Sequence, residues 1–224
     1  VNRTSEYKTS GYTFYQNIIL TTNNIALASV GLNVGLQIID LSTPSSPRLL
    51  SSLNPGEPVH DVAVTPDESK ALVCVRGSDR SLKIVDISNP SSPGVLGSYS
   101  MLLEPISVAS SANGNTAFVI DSSSLDIVDI STPTNPVIID RIFVFQGNYG
   151  VGGFTDVALS PDFKTAYITS SNKKLVTIDV KNGLIDKKKN FRSIVTRPGS
   201  ENCFSGPKTI VMINKKGDLQ KRSP

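Results

Sequence analysis

A 19-residue segment recurs along this chain, and its spacing restricts the folds that the chain can adopt. Three clear copies run through an apolar stretch to an aspartate and then into a proline-containing turn: GLQIIDLSTPSSPRLLSSL (35–53), SLKIVDISNPSSPGVLGSY (81–99) and SLDIVDISTPTNPVIIDRI (124–142). A weaker fourth copy, KLVTIDVKNGLIDKKKN, begins at Lys174. The marker aspartates of the four copies, Asp40, Asp86, Asp129 and Asp179, are 46, 43 and 50 residues apart. A period of about 40–50 residues indicates a repeat architecture in which each copy is one structural unit.

Each period contains four short apolar runs separated by turn residues. In VHDVAVTPDESKALVCVRGSDRSLKIVDIS the first run ends at a Pro-Asp turn, a second returns, and a third ends on the marker aspartate. A fourth run follows each marker, as in PRLLSSL, GVLGSYS and VIIDRIF. Val, Ile, Leu and Thr dominate these runs, and amphipathic helical windows are lacking. The pattern predicts an all-β, propeller-like fold with about four to five blades of four antiparallel strands.

The two ends of the chain depart from the repeat. The first unit lacks an obvious opening strand, and the pattern decays after Lys181. We therefore expect a lead-in or edge strand at residues 1–14, repeats over 15–181, and a basic degenerate repeat or tail at 182–224. The blades either close as a small ring or form an incomplete ring that belongs to a longer one or is completed by a second copy.

The motifs resemble a known repeat family. The segments LQIIDLSTPSSP, LKIVDISNPSSP and LDIVDISTPTNP are similar to the LVIVD repeat, and VAVTPDESKALV and VALSPDFKTAYI resemble strands of related YVTN-type bacterial propellers. The resemblance covers roughly residues 15–181 and implies a propeller architecture. It does not imply an activity, because such repeats are found in many secreted and surface proteins. It does suggest an extracytoplasmic or cell-surface location.

Composition narrows the classes of partner. Residues 181–224 carry 11 Lys and Arg against 3 Asp and Glu, whereas residues 1–180 carry 11 against 16. The basic end has few interleaved aromatic residues, which argues against nucleic-acid binding. We expect no membrane span, since long uninterrupted apolar stretches are lacking. Two cysteines and one histidine provide no zinc site of the usual kinds, so we predict no metal and no cofactor.

The repeated acidic residues have a structural explanation. A proline follows each marker aspartate by four residues, at Pro44, Pro90 and Pro133. A strand-ending aspartate accepts hydrogen bonds from the next backbone amides, and the proline fixes the bend. The pairs Pro66-Asp67 and Pro161-Asp162, with Asn113-Gly114 as their counterpart, are likewise tight turns. We interpret all of these residues as turn formers rather than as acids or bases.

Ligands of propellers usually meet the loops where each first strand begins, and we call this side the rim face. It comprises residues 29–35, 54–61, 76–81, 103–107, 121–124, 146–156 and 170–174. Three rim positions are equivalent in the repeat, Asp61, Ser107 and Asp156, and their side chains converge near the axis if each begins an innermost strand. The alternative, which we favour, is that such an aspartate bonds the backbone of the neighbouring blade.

The longest departure from the repeat is the glycine-rich loop QGNYGVGGF at residues 146–154. It does not lie between a strand and a helix, so a phosphate-binding role is not indicated. An insertion on one face of a repeat protein often marks the binding side, and Tyr149 and Phe154 are the side chains available for contact. The predicted binding residues are therefore Asp61, Ser107, Tyr149, Phe154 and Asp156.

These observations favour a noncatalytic scaffold that binds a protein or polymeric partner through its rim of loops. One alternative is a propeller hydrolase or lyase with an acidic site at the channel mouth, formed by Asp61, Asp156 and either His60 or Arg76. Adjacent strand residues point to opposite faces, so His60 and Asp61 do not form a dyad by adjacency. Another alternative is a homo-oligomer or a structural segment of a larger surface protein.

Overall fold

The computed structural model describes residues 15–31, 34–143, 153–171, 174–181, 184–185, 192–195, 211–213 and 219–221. Over these residues the protein consists of strands and turns without helix. Consecutive antiparallel strands form four principal sheets, one for each repeat. The predicted all-β, propeller-like fold is therefore confirmed, and the described residues form four blades, within the expected four to five.

The strands of each blade follow one another in the sheet. Blade 1 contains β1 (Tyr15–Leu20), β2 (Ile25–Val30), β3 (Gly35–Asp40) and β4 (Arg48–Leu53). Blade 2 contains β5 (Val59–Val64), β6 (Lys70–Val75), β7 (Ser81–Asp86) and β8 (Gly94–Ser100). Blade 3 contains β9 (Ser107–Ser110), β10 (Thr116–Ile120), β11 (Ser124–Asp129) and β12 (Val137–Phe143). The first strands contact one another in sequence, β1 with β5, β5 with β9 and β9 with β13, and so lie innermost.

Blade 4 contains β13 (Phe154–Leu159), β14 (Thr165–Ser170) and β15 (Lys174–Lys181). β15 pairs with both β16 (Leu184–Ile185) and β17 (Arg192–Val195), so strand pairing in this blade continues past residue 181. A separate hairpin joins β18 (Val211–Ile213) and β19 (Leu219–Lys221). Among the described residues, no contact as extensive as those between neighbouring first strands joins β13 back to β1. These contacts agree with the incomplete ring that the sequence analysis gave as one alternative.

The expectation that the first unit lacks a clear opening strand was wrong. Tyr15–Leu20 forms that strand and pairs antiparallel with β2. Its side chains are mostly exposed, with Ile18 at 61% and Leu20 at 59%, whereas the equivalent Val62 of blade 2 is 2% exposed against blade 1. β1 is therefore more exposed than the first strand of blade 2, which obscures its apolar pattern.

The core lies between the blades. Because alternate residues of a strand point to opposite faces, each blade presents one apolar set to the preceding blade and another to the following one. Three clusters result, one for each interface between consecutive blades; their central members are Leu27, Leu36, Val73 and Val85 for blades 1 and 2, Leu72, Ile84, Val119 and Val128 for blades 2 and 3, and Phe118, Ile127, Ile168 and Val176 for blades 3 and 4. All twelve are at most 2% exposed, so burial between sheets is the main stabilising contribution.

The marker aspartates form the predicted turns. Asp40, Asp86 and Asp129 each accept a hydrogen bond from the backbone amide two residues later, at 2.9, 2.9 and 2.8 Å. In all three blades a backbone hydrogen bond of 2.8–2.9 Å then closes a four-residue turn whose second residue is the proline. Proline favours that position because its fixed φ suits it. The side chain of Asp179 lies outside the described residues.

We expect Asp86→Ala to lower the free energy of unfolding by about 1–2 kcal/mol, because the amide of Ser88 loses its acceptor. Hydrogen bonds from Ser88 lower the pKa of Asp86 in the folded state. The stabilisation is therefore complete above the unfolded pKa of about 4 and is lost as the pH falls through the lower folded value. Urea unfolding at pH 7 and at pH 3 measures both effects. Equal losses at the two pH values would contradict this account.

A second turn, between the first and second strands, contains a left-handed residue in every blade. The residues are Asn24, Glu68, Gly114 and Phe163, with φ of 58°, 55°, 68° and 55°. In each case the residue's amide donates to the carbonyl three residues earlier, at 2.8–3.3 Å. Glycine adopts this conformation without cost, whereas a side chain with a Cβ is strained there. Glu68 gains compensating hydrogen bonds of 2.6 and 3.0 Å from Thr22 of blade 1.

Phe163 is the bulkiest residue held in this left-handed conformation. We expect Phe163→Gly to be about 1 kcal/mol more stable than Phe163→Ala, because only glycine removes the Cβ that strains the backbone. The alanine variant is the matched control, since it also loses the ring. Thermal unfolding of both variants measures the difference. Equal stability would mean that Phe163 is not strained.

Candidate functional site

The axis of the rim face is bordered by one polar position from each blade. The side chains of Asn17, Asp61, Ser107 and Asp156 occupy equivalent places near the start of the innermost strands. Asn17 Nδ2 donates to Asp61 Oδ1, and Ser107 Oγ donates to Asp156 Oδ1 at 2.7 Å. Asp61 Oδ2 accepts from the amide of Val108 at 2.9 Å. The four residues therefore connect successive blades around the axis.

Asp61 is a structural residue in this arrangement. Its side chain is 5% exposed, and each of its oxygens accepts a hydrogen bond from a neighbouring blade. His60 sits at a register shift between Val59 and Asp61, and its Nδ1 lies 2.7 Å from the carbonyl oxygen of Ile106. A carbonyl only accepts, so Nδ1 carries the proton. Asp61 thus bonds the backbone of the neighbouring blade, as the favoured sequence alternative predicted, and His60 bonds the same blade.

The other predicted binding residues have separate environments. Ser107 is 4% exposed and bonded to Asp156, whereas Asp156 is exposed at the start of blade 4. Phe154 is 3% exposed and packs in the core between blades 3 and 4, so its ring is not offered to a ligand. Tyr149 lies outside the described residues. The structure thus brings Ser107 and Asp156 together and assigns Phe154 to the interior.

Sequence reasoning missed Asn17. Its blade has a register shift between Tyr15 and Asn17, which matches the shift before Asp61 in blade 2 and before Asp156 in blade 4. Alignment of blade 1 on that position would have placed Asn17 with the aspartates. The signal was obscured because β1 was not recognised as the opening strand.

Arg76 and Glu57, two charged residues of the described rim, bond to neighbouring loops. Arg76 donates to Glu104 through Nε at 2.9 Å and Nη2 at 2.6 Å, and the amide of Gly77 donates to the same carboxylate at 3.3 Å. The hydrogen bond from Arg76 is the main reason that the pKa of Glu104 is lowered. Glu57 accepts from the hydroxyl of Ser78 on the adjacent loop. Arg76 therefore fixes a loop rather than facing Asp61 or Asp156 as a free cation.

A loop between blades 2 and 3 presents two leucines at the rim. Leu102 is 58% exposed and Leu103 is 39% exposed, while Met101 before them is 7% exposed and Pro105 after them is buried. The amide of Met101 donates to the carbonyl of Arg80 at 2.8 Å. The loop therefore has buried ends and an apolar tip.

A buried ion pair lies in blade 3, between Asp126 of β11 and Arg141 of β12. Arg141 donates to the two oxygens of Asp126 at 2.5 and 2.6 Å, and Asp126 is 0% exposed. Tyr99 of blade 2 donates to Asp126 at 3.1 Å and accepts from Arg141 at 3.0 Å. Burial, followed by the charge of Asp126, raises the pKa of Tyr99 to about 12. The bidentate, charge-assisted contact lies within blade 3, and the hydroxyl of Tyr99 connects the cluster to blade 2.

These contacts limit the chemistry available at the rim. Within the described part of the chain, no group of three or more His, Cys, Asp or Glu side chains is placed to hold a metal ion.

A cavity of about 180 Å³ opens on the side opposite the rim, between blades 1 and 2, with Leu27, Ile38 and Ile87 among its lining residues. The described residues also include no helix with the length and apolarity that a membrane crossing requires.

Comparison with known proteins identifies the repeat. The model of the LVIVD repeat matches residues 28–54, 71–101 and 109–143, which fall in blades 1, 2 and 3. No curated protein matches the chain.

Several solved structures share the fold at low sequence identity. A protein from Lactobacillus plantarum matches with a TM-score of 0.65 and 16% identity, over 80% of this chain and 56% of that one. The hydrazine synthase of Kuenenia stuttgartiensis matches with a TM-score of 0.64 and 19% identity, over 95% of this chain and 57% of that one. A putative 6-phosphogluconolactonase from Bacteroides fragilis matches with a TM-score of 0.64 and 15% identity, over 91% of this chain and 61% of that one. This chain thus spans 56–61% of the length of these structures, and the similarity shows the fold alone. The chain thus contains three LVIVD repeats, one in each of blades 1, 2 and 3, and its sheets have a β-propeller-like arrangement.

Proposed function

We propose that this protein is a noncatalytic scaffold that binds a protein partner through its rim face. The observation that carries the proposal is the loop between blades 2 and 3, whose tip exposes Leu102 and Leu103. Two adjacent exposed leucines give a partner apolar surface to cover; burying a fully exposed leucine contributes about 1.5–3 kcal/mol, and these partly exposed leucines contribute a fraction of that each. A polymer without apolar groups would leave them uncovered, so a protein fits this surface better than a polysaccharide.

The leucine tip is held in one conformation before any partner arrives. Glu104, next to Leu103, is fixed by Arg76 and by the amide of Gly77. The amide of Ile106 donates to the carbonyl of Ile120 at 2.8 Å, which anchors the end of the loop to blade 3. Binding therefore costs little loop entropy, and a preorganised apolar tip with a charged surround is a favourable docking element.

The polar groups near the axis support a structural rather than a catalytic role. Asp61 uses both oxygens between blades, and His60 donates to a backbone carbonyl. A hydrolase or lyase needs titratable groups that converge on one reacting position. Asp156 is the exposed carboxylate of the predicted set, and we include it as a peripheral contact of the binding surface. The proposed setting, extracytoplasmic or at the cell surface, rests on the resemblance to surface propellers.

A photo-cross-linking amino acid placed at Leu102 tests the proposal in extracts of the source cell. Leu49, 37% exposed on the outer strand of blade 1, is the matched position. We expect a protein to be labelled from position 102 and not from 49. With that protein purified, Leu102→Ser combined with Leu103→Ser should weaken binding by at least about tenfold, which corresponds to about 1.4 kcal/mol. The melting temperature should not change.

Equal labelling from both positions, or unchanged affinity of the double variant, would contradict the proposal. Turnover of an ester or glycoside that disappears in Asp156→Asn would instead favour the catalytic alternative.

A further inference from the structure

The turn between the first two strands of blade 3 contains a chemically reactive dipeptide, Asn113-Gly114. Asn113 is exposed at the tip of the turn, and Gly114 adopts a left-handed φ of 68°. Asn113 is followed by glycine. Asn54, Asn89 and Asn135 are instead followed by proline, which lacks the backbone N–H.

The same position is occupied by aspartate in blades 2 and 4. Asp67 Oδ1 accepts from the hydroxyl of Thr65 at 2.5 Å and from the amide of Ser69 at 3.2 Å. Asp162 Oδ1 accepts from the hydroxyl of Ser160 at 2.6 Å and from the amide of Lys164 at 3.2 Å. The two blades thus hold a carboxylate in one common pattern of hydrogen bonds.

Asn113 reproduces this pattern with an amide. Its Oδ1 accepts from the hydroxyl of Ser111 at 2.7 Å and from the amide of Asn115 at 3.0 Å. Both bonds draw electrons toward Oδ1 and make the Cγ atom more electrophilic. They involve only the oxygen that a carboxylate would retain. An aspartate at position 113 would therefore keep the same turn.

We propose that Asn113 is a site of spontaneous deamidation and that the aspartate it yields preserves the blade 3 turn. The backbone nitrogen of Gly114 attacks Cγ of Asn113, loses its proton, and forms a five-membered succinimide as ammonia leaves. Water then opens the ring at one of its two carbonyls, giving aspartate or isoaspartate. No oxidant, reductant or cofactor is needed.

The fold controls when this reaction starts. The amide of Gly114 donates to the carbonyl of Ser111 at 3.1 Å, and that bond must open before the nitrogen can attack. Exposed turn tips open at low free energy compared with the interblade core. Glycine also has no Cβ to obstruct the approach. Blades 2 and 4 accept backbone strain at Glu68 and Phe163, whereas blade 3 avoids the strain with a glycine that makes its asparagine labile.

Incubation of the folded full chain at mildly alkaline pH, followed by peptide mass mapping, tests the reaction. Asn115, also exposed, is the internal control because the β-branched Thr116 follows it. We expect Asn113 to convert at least about tenfold faster than Asn115, since glycine alone leaves the approach open. The second Asn-Gly pair, at residues 182–183, is separated by digestion into its own peptide. Equal rates at Asn113 and Asn115 would overturn the assignment.

The fate of the product is tested independently with two variants. Asn113→Asp should have the melting temperature of the unmodified protein, because the carboxylate accepts the same two hydrogen bonds. Asn113→Ala should melt at a lower temperature because Ser111 and Asn115 lose their acceptor. If Asn113→Asp is destabilised as much as Asn113→Ala, the product does not preserve the turn and the proposal fails.

Discussion

Replacement of Arg141 by alanine is expected to lower the free energy of unfolding by about 3–5 kcal/mol, the largest loss predicted for this protein. The reason is the carboxylate of Asp126, which is 0% exposed and receives both charge-assisted hydrogen bonds from Arg141. Without the guanidinium, a buried negative charge retains only the hydroxyl of Tyr99. Urea unfolding at neutral pH measures the loss.

A compensated variant separates the charge effect from the loss of packing. Combining Arg141→Met, Asp126→Leu and Tyr99→Phe removes the whole cluster, and replacing a buried ion pair with apolar groups of similar volume is often neutral or stabilising. We therefore expect the triple variant to be more stable than Arg141→Ala. A loss below about 1 kcal/mol would place this ion pair with surface pairs of little energetic value.

Gly97→Ala is expected to cost about 1–3 kcal/mol, the range for overpacking a close-packed interface. A Cβ built on Gly97 would overlap the carbonyl oxygen of Pro133 and lie 3.1 Å from Cα of Thr134. Both atoms belong to the backbone of blade 3, so the overlap is relieved only if two blades separate. At the equivalent position of blade 1, Ser51 donates to the carbonyl of Pro90 at 2.6 Å, which shows that outer strands approach the next blade's turn at this point.

The same strand supplies the control for Gly97→Ala. A Cβ on Gly94 would have no atom within 4 Å apart from those of its chain neighbours, and the φ of Gly94 is not positive. Gly94→Ala should therefore be neutral or stabilising by up to about 1 kcal/mol, because alanine restricts the unfolded chain. Thermal unfolding of both variants provides the comparison. Similar melting temperatures would mean that the blades adjust to the added methyl group without cost.

Features that depend on local sequence were predictable. The period of the marker aspartates predicted four-stranded units, and the hydrogen bonds of Asp40, Asp86 and Asp129 confirm the predicted turns. The Pro-Asp and Asn-Gly turns followed from their composition in the same way. Such turns close within a few residues, so the residue types that form them are adjacent in the chain.

Features that depend on the neighbouring blade were not predictable to the same degree. Asp61 meets the amide of Val108, 47 residues away, and Tyr99 meets Asp126, 27 residues away. The repeat position of Asp126 is occupied by Gln37 and Lys83 in the other two clear copies. The three residue types therefore show no pattern that indicates a buried ion pair. Phe154 was expected at the rim because its loop is glycine-rich, but it is the first residue of β13 and faces the core.

The sequence by itself determined the repeat, the strands of each clear unit and the turns that join them, because these depend on residue spacing and local hydrogen bonding. The tertiary structure decided which polar side chains link blades and which apolar side chains are exposed. Leu102 and Leu82 have the same side chain, yet one is 58% exposed at a loop tip and the other is 0% exposed between blades. The difference arises because burial depends on which face of a blade meets its neighbour, and that is fixed only when the blades pack.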